Sequence, residues 1–345
     1  MNAIVRKGLL ATAAGAGSIL IGRALIRRAR RLDPRGGVAL VTGGSRGFGL
    51  TIARELASRG ARLAICARDV DELERARQDL AGRGAEVLAV PCDLTEPDQI
   101  RRLVGEVRAH YGHIDILVNN AGIIQVRPFE TTTTEDFDRA MKTHFWAPLH
   151  AILEVLPEMR SRKSGRIVNI ASVGGAVSAP HLVPYGSSKF ALRGLSEGLR
   201  AELLKDGIHV TTVLPGLMRT GSPRNAEFKG QHRAEYAIFS ISDSIPGLSI
   251  SAEAAARSVV NALEHGDPEV IITLPAKLAV LFHGPFPGLT ADLMGLLNRL
   301  LPGPGGIGTR SALGKDSTSR LSPSWLTTLN EAAARRNNEV APGEA

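Results

Sequence analysis

From Val38 to about residue 275 the chain alternates short apolar runs with longer amphipathic stretches. Runs of four or five residues at Val38–Val41, Arg62–Cys66, Glu86–Val90, Ile114–Val118, Arg166–Ile170 and His209–Val213 predict buried strands, and Glu269–Thr273 a seventh. Between them, helical periodicity covers 48–58, 69–81, 97–110, 135–160, 186–205 and 251–264. Near-continuous apolar strands separated by helices predict an α/β fold with a doubly wound parallel sheet of about seven strands, covered on both faces.

Beyond Pro275 the pattern changes. Residues 276–301 are apolar but broken by Pro285 and Pro287, which predicts two short helices in place of one long one. Leu289, Leu293, Leu296, Leu297 and Leu300 form a helical stripe suited to core or oligomer contact, with docking on a membrane as the sharper reading. Residues 302–345 are read as linker and tail: 302–320, rich in Gly, Pro and Ser, as linker, with a weak helix near 325–336.

Charge matters once it is located. Of the net +8 of the 345-residue chain, residues 1–35 hold +7, from eight basic residues and one acid. The basicity is thus a terminal block and not a stripe on a folded face, so nucleic acid is set aside as a partner. Between Lys7 and Arg23 lie 15 uncharged residues, about 22 Å as a helix and short of a bilayer core. With Arg27, Arg28, Arg30 and Arg31 just beyond, the expectation is a membrane-associating N-terminal helix. A cleaved signal and a frayed extension are the alternatives. If the segment spans, its heavier positive flank puts the main domain, 36–275, in the cytoplasm.

Candidate chemistry begins directly after the first strand, at Thr42-Gly43-Gly44-Ser45-Arg46-Gly47-Phe48-Gly49. A glycine turn between strand and helix aims backbone N–H groups and the positive helix end at a pyrophosphate. After the second strand an acid would suit the ribose of NAD(H). Here Arg68 stands instead, and with Arg46 it favours the 2′-phosphate of NADP(H), NAD(H) remaining possible. Tyr185 and Lys189 lie four apart on one helix face, where an ammonium, helped by an oxidised nicotinamide, lowers a phenol pKa. Ser172, 13 residues upstream, is placed to polarise a carbonyl. Nine histidines show no metal-ligand spacing, and Cys66 and Cys92 read as small buried hydrophobes in a reducing compartment.

These motifs, with Asp93, Asn119-Asn120-Ala121-Gly122 and Pro215-Gly216 to Thr220 in the same order, resemble the short-chain dehydrogenases/reductases over roughly 36–275. The resemblance implies a Rossmann oxidoreductase. Tyr185 would be its proton donor and acceptor, Lys189 its ribose-holding and pKa-tuning partner, and Ser172 the residue orienting the carbonyl. It further implies Asp93 and Leu94 near the adenine, Asn119 by the adenosine ribose, Ala121 and Gly122 along the cofactor, and Pro215, Gly216 and Thr220 at the nicotinamide end. Where such proteins usually carry an Asn that holds a relay water, this chain has His144; it either serves the relay or satisfies a local hydrogen bond. A dimer or tetramer through helices 135–160 and 186–205 is a further implication.

Between Leu217 and Ile250 lies the segment that would form the substrate lid. Phe228, Tyr236, Ile238, Phe239 and Ile241 suggest a lipophilic carbonyl or alcohol, acyl, long-chain or steroid-like. Arg224, Lys229 and Arg233 are expected to be solvated before they are expected to meet an anion. The competing class is a membrane-associated dinucleotide-binding protein with little or no catalysis.

Overall fold

A computed structural model describes residues 22, 24–341 and 343 of the chain. Seven strands form one parallel sheet: β1 (Val38–Thr42), β2 (Arg62–Ala67), β3 (Val87–Pro91), β4 (Ile116–Asn119), β5 (Gly165–Ile170), β6 (Ile208–Pro215) and β7 (Glu269–Ile272). Their order is β7-β6-β5-β4-β1-β2-β3, so the chain winds outward twice from β1 and leaves a crevice at the carboxyl ends of β1 and β4. The doubly wound Rossmann architecture is the one expected.

The strand pleat divides the core. In β1, Ala39 and Val41 face one layer, with Leu50, Ile52 and Leu56 of α1 (Gly47–Ser58) and Val259 and Leu263 of α8 (Ala252–His265). Val38 and Leu40 face the other, with Val104 and Val107 of α3 (Pro97–Tyr111) and Ile152, Val155 and Met159 of α5 (Ala147–Arg162). Both faces being covered explains why these strands read as unbroken apolar runs. The helix α2 (Val70–Gly82) starts on an Asp69 cap, its side chain accepting from Glu72 N–H.

Three expectations are corrected. The helix foreseen over 135–160 is α4 (Thr134–Met141) and α5 joined by a π turn at Lys142–Trp146, which carries His144 inward to full burial. Residues 302–320 are not a linker. Ala312–Leu313 pairs antiparallel with Glu227–Phe228, Ile307 N–H donates to the Gly230 carbonyl, and Gly314 lies so close to the Pro223 carbonyl that a Cβ would collide with it. The leucine stripe is not core. After α6 (Val183–Leu203) and α7 (His232–Ser244), the two expected helices, α9 (Leu274–His283) and α10 (Pro287–Asn298), leave Leu289, Leu293, Leu296, Leu297 and Leu300 exposed. The weak terminal helix is real as α11 (Thr328–Arg336), preceded by a 3-10 turn at Trp325–Thr327.

Most of the N-terminal apolar run lies outside the described residues. What is described packs on the sheet's amino end: Arg27 pairs with Asp267 at 2.9 Å, and Leu32 N–H donates to the Glu264 carbonyl. Among the described residues no helix is long and apolar enough to cross a membrane.

Candidate active site

The crevice at the sheet's carboxyl edge is a cavity of about 760 Å³. The β1–α1 turn forms one wall. Gly43 and Gly47 have φ of +63° and +57°, conformations that favour glycine, and a Cβ at Gly49 would collide with the Gly43 carbonyl. Ser45, Arg46 and Phe48 line this wall, with Arg68 after β2, and Asp93 and Leu94 after β3. Ala121 and Gly122 follow β4, while Pro215, Gly216 and Thr220 close the far side after β6.

Ser172 follows β5, and Tyr185 and Lys189 stand one turn apart at the start of α6. Ser172 Oγ accepts from Gly174 N–H at 3.0 Å, which fixes the hydroxyl beside the Tyr185 phenol. The Lys189 ammonium donates to the Ile170 carbonyl at 2.8 Å and lies 5.7 Å from the Tyr185 ring centre. Burial brings the Lys189 pKa down to about 7. The expected fall in the Tyr185 pKa is absent from the protein alone. Burial pushes it up, the Ser172 hydroxyl pulls against that, and the Asp243 carboxylate adds to the rise.

His144 has both ring nitrogens engaged. Nε2 accepts from Ile123 N–H at 3.0 Å, and Nδ1 lies 2.7 Å from Ser188 Oγ, which itself donates to the Tyr185 carbonyl. A hydroxyl that donates elsewhere must accept here, so the ring is neutral with its proton on Nδ1. Burial and the Lys189 charge hold its pKa well below the usual imidazole value. Neither nitrogen remains for a relay water, and of the two roles open to His144 the structure carries the local one.

Asn119 is the predicted cofactor residue that the fold does not bring to the cavity. Its amide donates to Asn169 Oδ1 at 2.8 Å, and Asn169 donates to Ser196. At the end of β4 successive side chains alternate, so Asn120 faces the cleft instead and donates to the Thr42 and Gly43 carbonyls.

The lid differs from expectation in its charges. Lys229 is buried against Asp136 at 2.6 Å, and Arg224 lies 3.4 Å from Glu331, so neither is solvated and neither is left for substrate; Arg233 is exposed. Phe228 and Tyr236 are the lid's own core, while Phe239 lines the cavity with Val177, Leu182, Leu217 and Met218.

Sequence reasoning passed over two acids. Asp243 on α7 is buried, lines the cavity and makes no side-chain hydrogen bond or ion pair among the described residues, and desolvation drives its pKa well above the carboxylate range. Its position five residues beyond Ile238 in the lid helix was the available signal. Glu339, near the chain end, lies buried against Arg46 at 3.4 Å, and Arg46 also pairs with Glu72 at 2.7 Å. Cys66 and Cys92 are buried free thiols, and no group of His, Cys, Asp or Glu among the described residues is placed to hold a metal.

Comparison with known proteins gives a family and a fold. Residues 37–229 match the family model of the short chain dehydrogenases. A fatty acyl-CoA reductase of Acinetobacter baylyi is 34% identical over 274 residues, 79% of this chain and 88% of that protein. The crystal structure of a short-chain dehydrogenase from Streptomyces avermitilis superposes with a TM-score of 0.66 at 30% identity, covering 78% of this chain and 98% of that one. L-Sorbose reductase from Gluconobacter frateurii, solved with NADPH and L-sorbose, superposes at 0.63 with 27% identity, covering 70% and 97%.

Proposed function

Because the chain belongs to the short-chain dehydrogenases and is an oxidoreductase acting on CH–OH and C=O groups, we propose that it is an NADP(H)-dependent reductase of a lipophilic carbonyl. The observation that carries this reading is the placing of Ser172, Tyr185 and Lys189 in one cavity with the β1–α1 glycine turn and an apolar lid wall.

The residues present fit a nicotinamide dinucleotide. The turn opens its glycines to the cavity, and Asp93, Leu94, Tyr185 and Lys189 line the same cavity, which supports Asp93 and Leu94 as holding the adenine and Lys189 and Tyr185 the nicotinamide ribose. Arg68, exposed at the cavity rim, supports a 2′-phosphate, as does the NADPH in the sorbose reductase structure. When bound, the cofactor supplies the hydride from nicotinamide C4. Ser172 would orient the carbonyl oxygen, and the Tyr185 hydroxyl would give that oxygen its proton, becoming a phenolate as the alcohol forms. Lys189, when charged, favours the phenolate left behind. His144 ties the π turn to α6 and so sets where Tyr185 stands.

Val177, Leu182, Leu217, Met218 and Phe239 support an acyl or long-chain substrate, and so does the likeness to a fatty acyl-CoA reductase. The catalytic domain is read as cytoplasmic and membrane-associated, on the strength of the basic N-terminal block and the exposed leucines of α10. Exposed Trp146, Leu153 and Phe190 support a homo-oligomer built on α5 and α6. The test is NADPH oxidation by purified protein across aldehydes and ketones of rising chain length. The expected result is turnover that grows with chain length and is lost in Tyr185→Phe; turnover unaffected by that change would remove the assignment.

A further inference from the structure

Past α11 the chain does not trail away. Asn337 accepts from Gly47 N–H on its carbonyl at 2.8 Å and donates from Nδ2 to the Thr220 carbonyl at 3.2 Å. Asn338, at φ +58°, donates to the carbonyls of Ser45 at 2.8 Å and Glu72 at 2.9 Å and accepts from Arg75. Glu339 Oε2 accepts from Asn225 at 2.6 Å and lies 3.4 Å from Arg46 Nε, while Oε1 occupies the space a Gly47 Cβ would fill. Three consecutive residues therefore fasten the phosphate-binding turn to the substrate lid, and a buried carboxylate rests on the start of α1.

That placement has an electrostatic consequence. The start of α1 and the Arg46 guanidinium are the groups that would receive cofactor phosphates. Here Arg46 already faces two carboxylates, Glu72 and Glu339. Glu72 belongs to α2, whereas Glu339 lies beyond the end of α11, outside any helix or strand. A third anion beside Arg46 must displace Glu339 or be repelled by it, and a cofactor without a 2′-phosphate makes the smaller demand.

We propose that residues 337–339 form a strap over the dinucleotide site, and that Glu339 is a selectivity determinant whose carboxylate competes with the cofactor's 2′-phosphate for Arg46. The proposal rests on the NADP(H) reading only in taking this cavity as the dinucleotide site. Releasing the strap leaves Arg46 with Glu72 alone and frees the Gly47 N–H, so phosphate binding and loosening of the tail are one event.

The experiment measures dissociation constants of NADPH and NADH by fluorescence titration for the full-length protein, Glu339→Gln and a chain ending at Arg336. Hydrogen exchange of residues 337–341 is followed with and without NADPH. Glu339→Gln is expected to tighten NADPH about tenfold, the scale of one close like-charge contact, and NADH several times less. The truncated chain should show the same change in ratio, and NADPH should speed exchange in the tail. Equal weakening of both cofactors in both variants, or a tail that NADPH protects, would overturn the proposal, since either outcome makes the strap a plain structural support. A native preference for NADH that Glu339→Gln reverses would overturn the NADP(H) reading of the native chain and uphold the strap.

Discussion

His144 Nδ1 and Ser188 Oγ lie 2.7 Å apart beneath Tyr185, joining a π turn to the helix that carries the acid–base pair. Through Ser188 the link ends on the Tyr185 carbonyl itself. An imidazole so held is a strut, and its replacement tests that role.

His144→Ala leaves the part-buried Ile123 N–H without its acceptor and takes the Nδ1–H donor from Ser188 Oγ, which costs about 1–3 kcal/mol. Thermal melts should fall accordingly, with turnover reduced because Tyr185 loses its support. Because the folded pKa lies below the unfolded value near 6.5, the stability His144 contributes is full above that pH and is lost as pH falls below it. The pH profile of turnover above pH 7 should therefore match the native one in shape; a displaced limb there would mean that His144 moves protons after all.

The sheet and the reactive residues are legible in sequence because each has a local signature. Buried parallel strands are apolar runs, and the glycine turn and Tyr185/Lys189 are defined by spacing. Other features depend on register or on distant partners. Asn119 and Asn120 are chemically alike, and only the pleat of β4 sends the first to Asn169 and the second to the cleft. Lys229 looks like a solvated cation until Asp136, 93 residues away, is beside it. Asn337-Asn338-Glu339 falls in the stretch read as a tail, since every partner of its side chains lies more than 100 residues earlier in the chain.

Lys189 illustrates a residue kept for chemistry at a cost to stability. Its folded pKa of about 7 lies far below the unfolded value of about 10.4, so the folded state gains from neutral Lys189 above that value and loses the gain as pH falls toward 7. Lys189→Met removes the buried amine and its bond to the Ile170 carbonyl. We expect a protein more stable than the native one by about 1–3 kcal/mol at pH 7, with the margin shrinking toward pH 10, and turnover lower by about 10²-fold or more. Chemical denaturation at the two pH values, with NADPH oxidation alongside, checks both. A variant less stable at pH 7 would show that the ammonium is better accommodated than its burial implies.

Asp243 bears on Tyr185 across the cavity: once ionised, above its own raised pKa, its negative charge raises the phenol's pKa. Asp243→Asn keeps the shape and removes that charge. Alcohol oxidation needs the phenolate, so its rise with pH should move to lower pH in the variant. Rates of NADP⁺ reduction between pH 6 and 10 measure the shift. An unmoved profile would place Asp243 outside the electrostatic reach of Tyr185 and leave it only as a contact for substrate.

Gly314 gives a test of the chain beyond residue 302 that leaves the catalytic groups untouched. It sits where the strand pair of Ala312–Leu313 with Glu227–Phe228 ends, its N–H donates to the Ala226 carbonyl, and a Cβ there would meet both the Pro223 carbonyl and the Tyr236 ring. Backbone on one side and a fully buried ring on the other leave no room to yield, so Gly314→Ala should cost about 1–3 kcal/mol as an overpacked contact. The strain falls on the lid and not on Ser172, Tyr185 or Lys189. KM for a long-chain carbonyl should therefore rise several-fold while NADPH affinity and kcat change little. A variant with native stability and native KM would return residues 302–320 to the role of a passive linker; a variant that lost kcat but kept KM would mean that the lid's seat governs the catalytic groups directly.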